Sequence, residues 1–196
     1  MRRLLTTLCI VSFGAAMSLT AAAQASGNGS DSTANTTSGK QSAGMGDTDS
    51  TFVKKAAQGG LAEVELGQLA VQKASNEEVK KFGQRMVDDH TKANEQLKQV
   101  AAEKQIEIPQ TINAKDKATK ARLDKLSGEK FDKAYMKDMV KDHRKDVAEF
   151  EQEAKMAKDQ QIKSFVEQTL PTLKDHLQEA EKIAPQQQQA TRTSGQ

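Results

Sequence analysis

The chain has 196 residues with 29 basic and 27 acidic side chains, which leaves a formal net charge of only +2. Charges of both signs are interspersed along the sequence, and this excludes the basic face that a nucleic-acid partner would require. A hydrophobic fraction of 36% beside 29% charged residues indicates one modest domain with flanking segments outside its core.

The segment 1–25 is typical of a secretory signal peptide. Arg2 and Arg3 precede a largely apolar stretch at 4–19, and Ala-Gln-Ala at 23–25 matches the usual cleavage pattern. The apolar stretch is short and interrupted by polar residues, whereas a membrane span takes about 20 apolar residues. A permanent N-terminal anchor is therefore the minor alternative. Cleavage after position 25 removes both arginines, Cys9 and no acidic residue, so the mature chain has no formal net charge and no thiol.

These features predict an exported protein. Without cysteine, the mature chain must be held together by its core alone. Nothing after position 19 is apolar for long enough to cross a bilayer. We therefore expect a periplasmic or outer-membrane-associated protein with no transmembrane span in the mature chain, and a protein partner or a homo-oligomer both remain open.

Two segments flank the predicted domain. Residues 26–50 are almost all Ser, Gly, Thr, Asn, Asp and Ala, and this composition predicts a disordered linker because it lacks apolar residues that could offset the entropy of ordering. Residues 185–196 begin with proline, continue with glutamines and predict a flexible tail that ends the last helix. The folded domain is expected at 51–184.

The apolar residues of this domain step by three and four, which is the helical period, and no strand alternation is present. The first helix is expected at 52–74, after Ser50 or Thr51 as N-cap. The second begins at a capping box, residues 75–78, and continues to about residue 105. The third runs from after Gly128 to about residue 158. The fourth follows Asp159 to about residue 184, with a kink before Pro171.

The connections between these helices predict the topology. Helices one and two, like helices three and four, are joined by almost no intervening chain, so each pair is expected to form an antiparallel hairpin. About twenty residues, including Pro109 and a short helical piece near 117–126, separate helices two and three. Two hairpins joined by one long crossover predict an all-α fold, a ferritin-like four-helix bundle.

Three of these helices each carry a histidine on the apolar face. The spacing of three and four residues predicts an apolar side chain at one position of the second, third and fourth helices where a histidine stands instead. These histidines are His90, His143 and His176. They lie about 14 to 16 residues from the predicted helix starts, so at a rise of about 1.5 Å per residue the three could share one layer. Glu63 falls at the middle of the first helix.

One carboxylate and three imidazoles at one level are the composition of a metal site. The predicted ligands are Glu63, His90, His143 and His176, and the expected ion is a transition metal such as Fe, Cu or Zn. Further candidates lie beside them in the sequence. They are Glu65, Asp146 and Glu179, together with Met86 and Met139, whose thioethers would suit Cu(I).

A metal-free alternative stays open. Buried neutral histidines can donate one hydrogen bond and accept another, so the same four residues could form a satisfied polar layer that fixes helix register. The methionines are then core residues. The aspartates before the histidines, Asp89, Asp142 and Asp175, are rotated about 100° from them and are expected at the bundle edge or in solvent.

Several short segments resemble an exported bacterial family, the domain of unknown function 4142. They are Gly-Leu-Ala-Glu-Val-Glu-Leu at 60–66, Met-Val-Asp-Asp-His at 86–90, Phe-Asp-Lys-Ala-Tyr at 131–135, and Thr-Leu-Pro-Thr-Leu at 169–173 followed by His176. The resemblance covers about 51–184. It implies a ferritin-like four-helix bundle in the cell envelope, a group often labelled outer membrane proteins, and it implies no known reaction.

The sequence departs from the di-iron proteins of the ferritin-like group. Those proteins carry a Glu-x-x-His pair on each of two helices, whereas no carboxylate stands three residues before any histidine here. No thiol, phosphate-binding loop or Ser-His-Asp order points to catalysis, so no catalytic residue is predicted and an enzyme is disfavoured. Two hypotheses remain: a metal-binding envelope protein, or a metal-free structural or interaction bundle acting in envelope stress.

Overall fold

The structure is a computed structural model that describes residues 46–193, so the predicted signal peptide and most of the predicted linker lie outside the described residues. The described part contains five α-helices and no strand, and this confirms the all-α prediction. The helices are α1 (Asp47–Lys73), α2 (Glu77–Glu103), α3 (Ala114–Asp124), α4 (Gly128–Met156) and α5 (Gln160–Thr193).

The four long helices pack as two consecutive pairs. Helix α1 packs along α2, and α4 packs along α5. The pairs meet where α2 contacts α5 and where α1 contacts α4. The short helix α3 lies within the crossover between the pairs and contacts α1 and α4. This arrangement is compatible with a four-helix bundle. None of the described helices is both long and apolar enough to span a membrane.

Helix α1 begins at Asp47, within the predicted linker, and its N-cap is Gly46 instead of Ser50 or Thr51. The reason is a tertiary contact. The buried Asp49 carboxylate accepts hydrogen bonds from the backbone N–H groups of Lys158 at 3.0 Å and Asp159 at 2.8 Å. These amides stabilise the first turn of α1 from another part of the chain, so the local sequence alone does not mark the helix start.

Helix α2 begins near the predicted capping box, but the N-cap is Asn76 instead of Ser75. The Asn76 Oδ1 atom accepts hydrogen bonds from the amides of Glu78 at 2.7 Å and Val79 at 3.3 Å. The Ser75 hydroxyl instead donates to the buried Asp132 carboxylate at 2.5 Å. The predicted capping serine therefore serves to tie the α1–α2 turn to α4.

Helix α5 begins as predicted. The Asp159 Oδ1 atom accepts hydrogen bonds from the amides of Gln161 at 2.9 Å and Ile162 at 3.2 Å, which is the expected N-cap geometry.

The end of α5 differs from the prediction. The helix continues through Pro171 and Pro185 to Thr193, instead of ending near residue 184. A proline removes one backbone hydrogen bond but has a φ angle that suits a helix, and the glutamines that follow Pro185 are good helix formers. Most of the segment predicted as a flexible tail is therefore helical.

Two apolar clusters form the core, and a layer of polar side chains separates them. The first cluster, near the α1–α2 turn, includes Leu66, Leu69, Val79, Phe82, Met86, Phe131, Tyr135, Met136, Met139 and Ile183. The second cluster, near the α4–α5 turn, includes Phe52, Val53, Leu97, Ile106, Phe150, Ile162, Phe165, Val166 and Leu173. The polar layer between them contains the three histidines and Glu63, all buried.

Candidate metal centre

Helices α2, α4 and α5 bring the three histidines of the chain together. The ring centroids of His90 and His143 are 5.8 Å apart, those of His90 and His176 5.3 Å, and those of His143 and His176 5.4 Å. One nitrogen from each ring lies within 4.8 Å of the corresponding nitrogens of the other two. The prediction that the three share one layer of the domain is confirmed.

The first apolar cluster fixes one side of this layer. The Phe82 ring meets the His143 ring edge to face, with centroids 6.3 Å apart, and meets the His176 ring in the same way at 6.4 Å. His143 and His176 have no exposed surface, and His90 is 7% exposed. Because side chains in such a core are held by their neighbours, the three rings are positioned before any ligand arrives.

Hydrogen bonds to the rest of the protein determine which ring nitrogens are free. The Nδ1 atom of His143 lies 2.9 Å from the Met139 carbonyl oxygen. A carbonyl can only accept, so Nδ1 carries the proton and Nε2 holds a lone pair. The Nε2 atom of His176 lies 2.7 Å from the Asp89 carboxylate, and the same reasoning leaves its Nδ1 atom unprotonated.

The nitrogens that remain are buried and unpartnered. They are Nε2 of His90, Nε2 of His143 and Nδ1 of His176, and none has a hydrogen-bond partner among the described residues. In metal sites, a histidine ligand usually donates its other N–H to a carboxylate or a backbone carbonyl, and this bond fixes the tautomer. His143 and His176 have this arrangement.

Sequence reasoning missed the role of Asp89, which was expected at the edge of the bundle or in solvent. Its side chain is 35% exposed, yet it reaches His176 on another helix and also pairs with Arg85 at 3.3 Å. No sequence pattern could have found this contact, because the helical period describes only the neighbours of Asp89 on its own helix.

Burial keeps the three imidazoles neutral. It lowers the pKa of His143 to about 4, with a further contribution from His176. It also lowers the pKa of His90 well below the usual histidine range and lowers the pKa of His176, where the hydrogen bond to Asp89 opposes part of the effect. A neutral imidazole is the form that binds metal ions.

Glu63 is buried at 4% exposure but is not a member of the three-histidine set. Its Oε2 atom has no hydrogen-bond partner among the described residues. Burial raises the pKa of Glu63 well above its usual value, and the Asp146 carboxylate adds to the effect. Its role as a metal ligand stays a prediction.

The other candidates have protein partners or lie in the core. Glu65 pairs with Lys120 at 2.7 Å, and Glu179 pairs with Arg85 at 2.5 Å. Asp146 lies 3.6 Å from its neighbour Lys145. Met86 and Met139 belong to the first apolar cluster, consistent with core packing.

Two cavities reach this layer. A cavity of about 310 Å³ is lined by residues of all five helices, among them Glu63 and His90. A second cavity, of about 220 Å³, lies between α2 and α5 and is lined by polar residues that include Asp89, Gln96, Thr172 and His176. His90 lines both cavities, so the three-histidine set can be approached from two sides.

The family described as domain of unknown function, DUF4142, matches residues 34–183, which is more than half of the chain. The chain belongs to the DUF4142 family. This membership confirms the resemblance drawn from the short segments.

A solved structure has the same fold as this DUF4142 domain. It is the crystal structure of a DUF305 fragment from Deinococcus radiodurans, with a TM-score of 0.65 and 12% sequence identity. The similarity covers 73% of this chain and 99% of that chain. At this identity the similarity concerns the fold alone. No curated protein matches the chain, so the chemistry of the DUF4142 domain must be inferred from its own site.

Proposed function

We propose that this DUF4142 domain binds a transition-metal ion, with His90, His143 and His176 as the ligands. The observation that carries the proposal is that each ring has a buried nitrogen without a hydrogen-bond partner among the described residues, and that a ligand nitrogen of each ring lies within 4.8 Å of the others. An unsatisfied buried polar atom costs about 1–3 kcal/mol, and an ion would satisfy all three at once.

The dimensions suit an ion after a small contraction. The three nitrogens lie within 4.8 Å of one another, so an ion at their centre would lie at most about 2.8 Å from each, whereas Zn–N bonds are about 2.0–2.1 Å. Each ring would therefore need to move by no more than about 0.7 Å to reach that bond length. Three nitrogens also leave a fourth position open, and His90 lines two cavities from which it could be filled.

The ligand type narrows the choice of ion. Imidazole suits Zn, Cu, Fe and Ni, whereas Mg and Ca prefer oxygen. The sequence lacks the carboxylate three residues before each histidine that di-iron sites use, which favours a single ion over iron storage or di-iron oxidation. We retain Fe, Cu and Zn as the candidates, and we infer no enzymatic reaction.

The proposal places this site in an exported, ferritin-like bundle of the cell envelope. The charged start and apolar stretch at 1–25 support export. The two helical pairs and the crossover that carries α3 support the ferritin-like topology. A metal-free interaction bundle is the alternative, and it requires the histidine layer to satisfy its own hydrogen bonds. The unpartnered nitrogens of the described histidines argue against it.

Metal content tests the proposal. The protein is purified without chelator from cells expressing the full chain, beside a variant in which His90, His143 and His176 are all replaced by alanine. We expect near-stoichiometric Fe, Cu or Zn by mass spectrometry in the native protein and none in the variant. If the native protein is empty and takes up none of the three at neutral pH, the proposal is wrong.

A matched pair of single substitutions sharpens the test. Asp89→Asn removes the carboxylate that holds the His176 ring and should weaken metal affinity about 10- to 100-fold. Asp88→Asn is the control, because Asp88 is exposed on the same helix and bonds only Gln84, at 2.8 Å, among the hydrogen bonds of the described residues. If both variants bound the metal ion with equal affinity in a competition titration, Asp89 would have no role in metal binding.

A further inference from the structure

The cavity of about 310 Å³ beside the histidine layer has a lining unlike that of the ion site. Apolar side chains from four helices form much of its wall: Phe52, Leu66, Leu97, Phe150, Phe165 and Leu173. The volume is at the lower end of the range for small-molecule sites, which are mostly apolar with a few placed polar groups.

Glu63 is the most deeply buried of the acidic residues that line this cavity. It lines the cavity, is only 4% exposed, and its Oε2 atom has no hydrogen-bond partner among the described residues. Because a buried charge without a partner is strongly unfavourable, burial favours the protonated form of Glu63 and raises its pKa, whereas a cationic donor beside it would stabilise the carboxylate. A cationic donor gives a hydrogen bond about twice as strong as a neutral one.

The charges around the cavity favour a cation. Five more carboxylates line it, all half-buried: Asp116, Asp138, Asp142, Asp146 and Glu149. Four lysines also line it, and all four are exposed: Lys55, Lys115, Lys141 and Lys145. Asp138 pairs with Arg122, and both Asp146 and Glu149 pair with Lys145. Asp116 and Asp142 have no ion pair among the described residues, and their charge would attract a positively charged ligand towards Glu63.

We propose that this cavity binds a small organic cation, a primary amine on an apolar body, with the Glu63 carboxylate as its partner. The apolar walls cover the body, and the ammonium group donates to the unpartnered Oε2 atom. A hard metal ion would need six or more oxygen ligands, and the phenylalanine and leucine side chains that line part of the cavity supply none, which favours an organic ligand. The inference goes beyond the three-histidine site and does not depend on it.

The experiment compares three ligands of one shape: benzylamine, benzyl alcohol and benzoate. Each is titrated by NMR into the protein purified from cells expressing the full chain, with EDTA present so that the histidine site is empty of metal. We expect benzylamine to bind at least about 10-fold more tightly than benzyl alcohol, and benzoate to bind most weakly. The ring protons of benzylamine should show contacts to Phe52, Phe150 or Phe165.

A matched pair of variants assigns the preference to Glu63. Glu63→Gln should abolish the preference for the amine over the alcohol, whereas Glu65→Gln should keep it. Glu65 lies two positions away on the same helix but pairs with Lys120 and lines a different part of the surface. The ligand comparison on the unmodified protein needs no variant, so it stands even if Glu63→Gln does not fold.

Three outcomes overturn the inference. Equal affinity for benzylamine and benzyl alcohol would show that the cavity binds only the apolar ring and that Glu63 does not recognise the ammonium group. Displacement of benzylamine by Mg²⁺ or Ca²⁺, added to a millimolar excess over the EDTA, would make the cavity a metal site, and no binding of any probe would show that it is not a ligand site. Because the titrations contain EDTA, and the metal analysis contains no amine, failure here is distinguishable from failure of the metal proposal.

Discussion

The two helical pairs of this domain are alike at their ends and different in their middles. In each pair, a buried aspartate near the start of the first helix accepts amide hydrogen bonds from the turn of the other pair. Asp49 accepts from the α4–α5 turn, and Asp132 accepts from the α1–α2 turn. The two aspartates occupy equivalent positions, because each lies equally far along the chain from the N-cap of its own pair's second helix, Asn76 or Asp159.

The middles of the pairs pack by opposite means. Gly67 and Gly83 meet where α1 crosses α2, and a Cβ atom at Gly67 would lie 2.6 Å from the Gly83 carbonyl oxygen. The equivalent positions of the second pair are Phe150 and Val166, both buried. The first pair is therefore held by close backbone approach and the second by large side chains. Similar connections thus do not require similar packing.

Removing the buried aspartates should change stability most. Asp132 accepts three hydrogen bonds of 2.5–3.1 Å, two from Ser75 and one from the Asn76 amide. Asp49 accepts two of 2.8–3.0 Å from backbone amides and a long one, 3.5 Å, from the Thr48 hydroxyl. We expect Asp132→Ala to cost about 3 kcal/mol of unfolding free energy and Asp49→Ala about 2 kcal/mol. Denaturant unfolding followed by circular dichroism measures both. A larger loss for Asp49→Ala than for Asp132→Ala would show that the number of short hydrogen bonds does not explain the stability of these two contacts.

Adding a methyl group at the α1–α2 crossing should have the next largest effect. Gly67→Ala places Cβ against backbone, which cannot yield as a flexible side chain can, so we expect a loss of about 1–3 kcal/mol. Gly59→Ala is the control on the same helix, because no atom lies within 4 Å of its added Cβ. Removing that glycine should instead stabilise by about 0.5–1 kcal/mol. If both variants were stabilised, close approach would not be what holds the first pair.

A weaker effect is expected at Glu153, which stands in the second pair where the first has Ala70. Burial, together with the nearby Asp49 carboxylate, raises the pKa of Glu153 above its unfolded value. The folded protein then holds this proton more tightly, so the native protein loses stability as pH rises from about 4.5 through the folded pKa. Glu153→Gln should match the native protein near pH 4 and exceed it at pH 7, on the order of 0.5 kcal/mol.

Glu151, two residues away, should show the opposite pH dependence of stability. The hydrogen bond from Lys174 lowers the pKa of Glu151, so Glu151→Gln should be slightly less stable than the native protein at pH 7. As the pH rises from 4 to 7, the unfolding free energy of Glu153→Gln should rise relative to that of the native protein, and that of Glu151→Gln should fall relative to it. Parallel curves would show that the surroundings of Glu153 do not perturb it.

Much of the helical structure could be predicted because an amphipathic helix requires a regular spacing of apolar residues that are close together in the sequence. The three- and four-residue spacing located all four long helices, and Asp159 capped α5 as expected. The start of α1 could not be predicted, since the amides that bind Asp49 belong to Lys158 and Asp159, far along the chain. The continuation of α5 past Pro185 was also missed, because the prediction ended the helix at that proline although its fixed φ angle is compatible with a helix.

The candidate site, like the fold, could be predicted from the sequence only in part. That His90, His143 and His176 face the core at one level follows from the chain alone, because the period and the rise per residue of an α-helix are properties of a single helix. Three facts required the packed domain: which nitrogens are free, that Asp89 reaches His176, and that Glu63 and His90 line a common cavity. Those facts depend on how neighbouring helices are placed, and helix placement is set by packing between residues that are distant in the chain.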